Sequence, residues 1–436
     1  MKNIKSVLSC IILLFAIQIA TAQSPDVPTP APAQDGKIYL TNATIHIGNG
    51  QVLQNATIGF DDGKIFFLEE NPSIKTDATM GKVIDCTGKH IYPGIIATNT
   101  IIGLSEIEAV RATNDNTEVG AFNPNVRAIV SYNTDSRVTP TLRSNGVLYA
   151  QVAPQGGYVS GTSSVVNLDA WNWEDAAVKN EDGVFMNWPS MFKVKGWWAE
   201  RQSYEMNKDY DKELDGLKTY FKDAKSYFEA GTHEKTNLGF EAMKGLFDKS
   251  KNLYVSVNYI KEMQNVIAFA EELGVNVVLV GAKDSYMIAD VLAQKKIPVI
   301  LSKCHDLPTY DDEDIQQPYK TPGILQKAGV LYCISIGAFW QERNLMFEAG
   351  TAATYGLTKE EALQTITANP AKILKLDTRI GTLEKGKEAS LIVSTGDVLD
   401  MKTSTIEQAY ISGRKIDLSN KQKALNEKFT KKYGVN

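Results

Sequence analysis

From residue 252 onward the chain repeats one pattern, a short apolar or β-branched run followed by a stretch of helical periodicity. The runs are residues 252–257, 275–280, 298–301 and 330–335; the helical stretches are residues 259–273, 285–295, 345–356 and 359–374. Thr358-Lys359-Glu360-Glu361 reads as a capping box opening the last of these. Strand then helix, roughly every 23 to 30 residues, is a βα series on a parallel sheet. Such a series closes naturally as an α/β (β/α)8 TIM barrel, with function at the carboxyl ends of its strands. Earlier runs at residues 95–102, 146–152 and 163–168 extend it.

The termini read differently. Residues 1–22 have the form of a signal peptide: Lys2 and Lys5, an apolar core from Val7 to Ile19, and the small-residue site Ala20-Thr21-Ala22. The apolar core is short for a membrane span and is followed at once by the cleavage site; a retained N-terminal anchor is the alternative. Residues 23–36 form a Pro/Ala-rich tether without apolar period. The mature protein is thus expected to be exported, periplasmic or secreted, with no membrane span. Its formal charge of -5 becomes -7 once the two lysines leave (44 basic against 51 acidic). With no basic stripe, that balance argues against a nucleic-acid partner. Cys86, Cys304 and Cys333 are an odd set with no paired spacing, so no disulfide framework is implied.

Residues 37–94 read as short strands separated by Gly-Asn-Gly and Asp-Asp-Gly turns, and lead into Tyr92-Pro93-Gly94-Ile95-Ile96-Ala97-Thr98-Asn99-Thr100-Ile101. Near the other end stands Gly381-Thr382-Leu383-Glu384-Lys385-Gly386-Lys387-Glu388-Ala389-Ser390-Leu391-Ile392-Val393. Both passages resemble the amidohydrolase superfamily and are similar to its imidazolonepropionase-like branch. Members carry Pro-Gly-hydrophobic-hydrophobic-Asp-x-His-x-His at the first and Gly-x-Leu-x-x-Gly-Lys-x-Ala-Asp-Leu-hydrophobic-Val at the second. The resemblance implies a composite β-sandwich built from both termini beside the barrel. It also implies hydrolysis of non-peptide C–N bonds in amides with zinc or another divalent metal.

The implied division is an N-terminal sandwich segment at 37–94, the barrel at 95–375 and a C-terminal sandwich segment at 376–420, followed by a charged tail at 421–436. An insertion at about 169–251 is marked by Trp171, Trp173, Trp188, Trp197 and Trp198 and by a charged helix over residues 204–230.

The residues at the implied ligand positions are the wrong kind. The Asp position is Ala97 and the histidine positions are Asn99 and Ile101; the fifth strand offers Ser256, the sixth Val280 or Gly281, the eighth Ser335. Aliphatic chains cannot ligate a metal, and an amide is a poor zinc ligand beside imidazole. No metal or other cofactor is therefore expected. Of the four histidines only His305, beside Asp306, follows a barrel strand, and this pair is the candidate for acid–base work. Asn99, Asp135, Lys283 and Arg343 are candidate binding residues at the mouth. Arg343 suits a carboxylate, or alternatively a pairing with Glu342. Gly156 and Gly157 suit either an anion or a tight turn.

Three readings stay open: a binding or partner subunit without the usual metal, an active hydrolase with an atypical mouth site, and a ligand-binding protein using the Trp-rich insertion. Candidate partners are a small-molecule or peptide ligand, an amidohydrolase paralogue, or a second copy.

Overall fold

The computed structural model describes residues 28–72, 81–196 and 203–434; the signal-peptide reading, Trp197 and Trp198 lie outside them. Eight strands make the central sheet, in the order Ile95–Thr100, Val147–Val152, Val159–Asn167, Ala177–Asn187, Asn252–Val257, Val277–Gly281, Val299–Leu301 and Tyr332–Ile334. Apart from the first half of Ala177–Asn187 they are almost continuously buried, since helices and loops cover one face and the barrel interior the other. Strands one and eight do not pair directly. The Ile96 N–H donates to the Ile366 carbonyl (2.9 Å) and the Ile334 N–H to the Thr365 carbonyl (3.2 Å), so one chain segment closes the gap. The Ser335 hydroxyl also reaches the Thr98 carbonyl at 2.7 Å.

The last four strands run parallel, as the βα series requires. Helices Ile260–Leu273, Ala289–Lys295 and Gln317–Ala328 link them. The capping box at Thr358 and Glu361 is formed. Strand three departs from the ideal barrel by running antiparallel to both neighbours. The chain between Val152 and Val159 is too short for a helical crossover, so it can only turn back as a hairpin.

The segment expected as an insertion, 169–251, supplies barrel strand four, Ala177–Asn187, before it leaves the sheet. What projects is the hairpin of Phe192–Lys195 with Ser203–Met206, then helices Tyr210–Ala230 and Leu238–Phe247. The charged helix thus begins at Tyr210, because residues 203–206 pair as a strand. Trp188 belongs to the core: it packs on Phe269 (ring centroids 5.4 Å apart) and its indole N–H donates to the Tyr210 hydroxyl.

Both termini build one sheet beside the barrel. Leu391–Ser394 lies between His90–Pro93 and Ile406–Ile411, and His90–Pro93 in turn pairs with Ile38–His46. Leu40, Ile45, Ile58, Phe60, Leu391, Val393 and Tyr410 fill its apolar side.

Candidate functional site

The carboxyl ends of the parallel strands are where a barrel of this kind keeps its chemistry. Here the strand ends are occupied with one another. Asn99 sits at a left-handed φ of 51° and its N–H donates to the Gln151 side-chain carbonyl at 3.2 Å. Ile101 is buried in the core. The Ser256 carbonyl accepts from the Trp188 N–H, and the Gly281 carbonyl from Ser302. Ser335 gives its proton to the Thr98 carbonyl and accepts from the Gly337 N–H. One amide, two hydroxyls and aliphatic groups do not fit a divalent metal that needs imidazoles and carboxylates. Among the described residues no group of three or more His, Cys, Asp or Glu could hold a metal ion.

His305 and Asp306 are adjacent in sequence and turned apart in space. The His305 ring faces the helix Leu345–Thr354, with Nδ1 3.2 Å from Glu348 and Nε2 2.6 Å from the Thr351 hydroxyl. Glu348 also accepts the N–H groups of Cys304 and His305, so it anchors the loop. Asp306 instead pairs with Lys283 at 2.9 Å. Burial pushes its carboxyl up, but the Lys283 hydrogen bond and charge prevail and hold it below the usual carboxylate range. A His–Asp acid–base unit is not formed.

Of the six candidate residues the structure brings together only Lys283 and Asp306. They line a cleft at the ends of strands six and seven with Lys303, Glu313, Gln317 and Leu307. The cleft is open to solvent. Behind it Asp284 is fully buried, accepting from the Tyr310 hydroxyl (2.7 Å) and the Ile260 N–H (3.0 Å) while its other oxygen has no partner. Burial raises its carboxyl, and those two donors restrain the rise.

Asp135 is exposed in a local turn, its N–H donating to the Asn133 side chain. Arg343 does not pair with Glu342; its guanidinium donates to the Trp340 carbonyl at 2.5 Å, beside a separate cleft with Thr141 and Gln422. Gly156 and Gly157 make a tight turn, with φ of 82° and 61° and carbonyls accepting from Ser160 and Asn187.

Glu342 and Asp182 are among the buried carboxylates that sequence did not mark as site residues. Glu342, fully buried after strand eight, has no hydrogen-bond partner of good geometry on either oxygen. Burial pushes it up to about 8, only partly offset by the Ala338 N–H and the Thr100 hydroxyl nearby. Asp182, inside the barrel, accepts from Gln151 (3.0 Å), the Tyr254 hydroxyl (2.7 Å) and Ser163. Since Gln151 also holds the Asn99 N–H, one polar chain runs from the mouth into the barrel. The only sequence signal for either was an acid inside or just after an apolar run.

Residues 222–416 match the amidohydrolase family model. Among solved structures, an amidohydrolase from Thermotoga maritima is 26% identical with a TM-score of 0.73, over 87% of this chain and 99% of its own. A prolidase complexed with N-methylphosphonate-L-proline (14% identity, TM-score 0.55, 87% and 99% covered) has a similar fold. So does molinate hydrolase, at 15% identity and a TM-score of 0.53, with 88% and 95% covered. Comparison with the curated proteins found no match. The resemblance read from the two end motifs is borne out: the chain carries the amidohydrolase family's sequence pattern over residues 222–416 and the amidohydrolase fold over most of its length.

Proposed function

We propose that this is an exported amidohydrolase-fold protein that works without the family's metal, as a binding or partner subunit. The observation that carries the reading is the use of the strand ends on one another. Ser335 gives its hydroxyl proton to the Thr98 carbonyl across the seam between strands eight and one, Ile101 is packed in the core, and the Asn99 main chain is held by Gln151, so these positions present no imidazole or carboxylate to a shared ion. Export rests on the Lys2/Lys5, apolar-core and Ala20-Thr21-Ala22 pattern.

Elemental analysis of the purified protein tests the metal half. No stoichiometric zinc is expected. About one zinc per chain, released only slowly to chelator, would overturn the reading.

A second reading, hydrolysis at an atypical mouth site, is favoured by the Lys283–Asp306 cleft alone. With Asp306 held ionised below the usual carboxylate range in its pair with Lys283, neither side chain is free to act as the base. Ligand binding by the Trp-rich segment keeps only exposed Trp171 and half-buried Trp173 among the described residues, since Trp188 is core.

A further inference from the structure

We propose that the C-terminal helix, Lys421–Tyr433, docks on an anionic phospholipid surface. None of its residues is buried. Leu425, Phe429 and Tyr433 are 41%, 46% and 66% exposed, and a spacing of four places them on one face. Along one edge of that stripe run Lys421, Lys428 and Lys432. The helix carries five lysines against Glu427, a net charge of +4, in a chain whose total is -5. The rest of the chain is therefore at -9, which would hold the body off an anionic surface and leave the helix as the side that approaches.

The body meets this helix at its first turn, where Gln422 shares the face of the stripe, and leaves Leu425, Phe429 and Tyr433 partly exposed beyond it. Only the root is fixed: Asn420 caps the first turn and donates to the Ser144 hydroxyl at 2.8 Å, and Gln422 accepts from Thr141. Lys423, whose ammonium reaches the Leu418 carbonyl, and Thr430, the least exposed residue of the helix, lie about a third of the circumference from Phe429. Phe429 and Tyr433 stack at 6.3 Å, with the Lys432 ammonium 5.0 Å over the tyrosine ring. An apolar stripe ending in an aromatic hydroxyl and edged by lysines suits the headgroup boundary, where rings sink and ammoniums meet phosphates. Among the described residues no helix is long and apolar enough to cross a membrane, so this one would lie on the surface.

The test is co-sedimentation of the chain lacking residues 1–22 with vesicles of phosphatidylcholine alone or mixed with phosphatidylglycerol. Binding is expected only to the anionic vesicles and is weakened by salt. Lys428→Ser and Lys432→Ser should each lower partitioning about five-fold, and Phe429→Ser about ten-fold. These side chains are exposed, so an unchanged circular dichroism spectrum will show that each variant still folds. Absence of binding to anionic vesicles, or binding indifferent to Phe429→Ser, overturns the proposal. So does a Phe429-dependent dimer in sedimentation velocity without vesicle binding, which would assign the stripe to a second copy.

Discussion

At the scale of single residues the most telling group is Glu342. Its carboxyl is pushed by burial to about 8 in the fold, well above its ordinary value of 4.5. The native state therefore holds a proton that the unfolded chain releases. The sign follows: stability from this group is full below about pH 4.5 and is lost as pH rises toward 8. Glu342→Gln keeps the shape without the titration. It should raise the melting temperature at pH 8 by roughly 2–4 °C and shrink the loss between pH 5 and pH 8. An unchanged slope would mean that Glu342 is solvated. The double change Asn99→His with Ile101→His should give neither zinc binding nor amide hydrolysis. Position 101 is core, where an imidazole without a partner costs about 1–3 kcal/mol, and the fifth-, sixth- and eighth-strand ligands are still missing. Hydrolysis by that variant would show a better-preserved site. Sequence could identify which residues stand at the strand ends, because that needs only residue type and position. It could not tell that His305 and Asp306 point apart, since neighbouring side chains on a loop diverge with its local turns.

At the scale of elements, what was legible depended on local period and connection length. The last four strands and the helices Ile260–Leu273 and Leu345–Thr354 carry a periodic signal and came out at their expected places; residues 359–374 divide instead into Lys359–Gln364 and Ala368–Ile373, and Gln317–Ala328, with Pro318 and Pro322 in it, was not among the expected helices. Barrel strand four hid inside the Trp-rich segment because Val184–Asn187 is a short apolar run, and its pairings with Val159–Asn167 and Asn252–Ser256 make it part of the barrel. The antiparallel third strand was implicit in the short Val152-to-Val159 link, which no helix could span. Strand Leu391–Ser394 supports the strongest prediction at this scale. It is flanked on both sides within its sheet, so truncation from Gly381 removes an inner strand and both strands beyond it. The His90–Pro93 edge and the apolar faces of Ile45, Ile58 and Phe60 would then lie open. At about 1.5–3 kcal/mol for each large side chain exposed, the loss is comparable with a typical stability of about 5–15 kcal/mol. The truncated protein is expected to be insoluble or unfolded; a soluble product with an unchanged melting temperature would contradict the composite sheet.

At the scale of the whole molecule, barrel, terminal sheet and tether meet at Asp169. Its carboxylate is fully buried and accepts from Arg143, which is 2% exposed and precedes barrel strand two. It accepts also from Arg414 of the last sheet strand at 3.0 Å, and from the Ala31 N–H of the tether at 2.9 Å. Arg414 returns to the Ala31 and Asp169 carbonyls, so three distant parts of the chain share one network. Such a group specifies position more than it adds stability, because bringing the charges out of water costs about what their attraction returns. Removing one partner is different. Asp169→Ala leaves Arg143 charged and buried, with two of its nitrogens already lacking partners, and should cost about 3–5 kcal/mol. The effect is expected in denaturant unfolding as an earlier midpoint. Adding Arg143→Met should then recover part of the loss, because the stranded charge is gone; two independent sites would instead give additive losses. If Asp169→Ala unfolds at the wild-type midpoint, the network does not hold the two ends of the chain to the barrel, and their contact must rest on apolar packing alone.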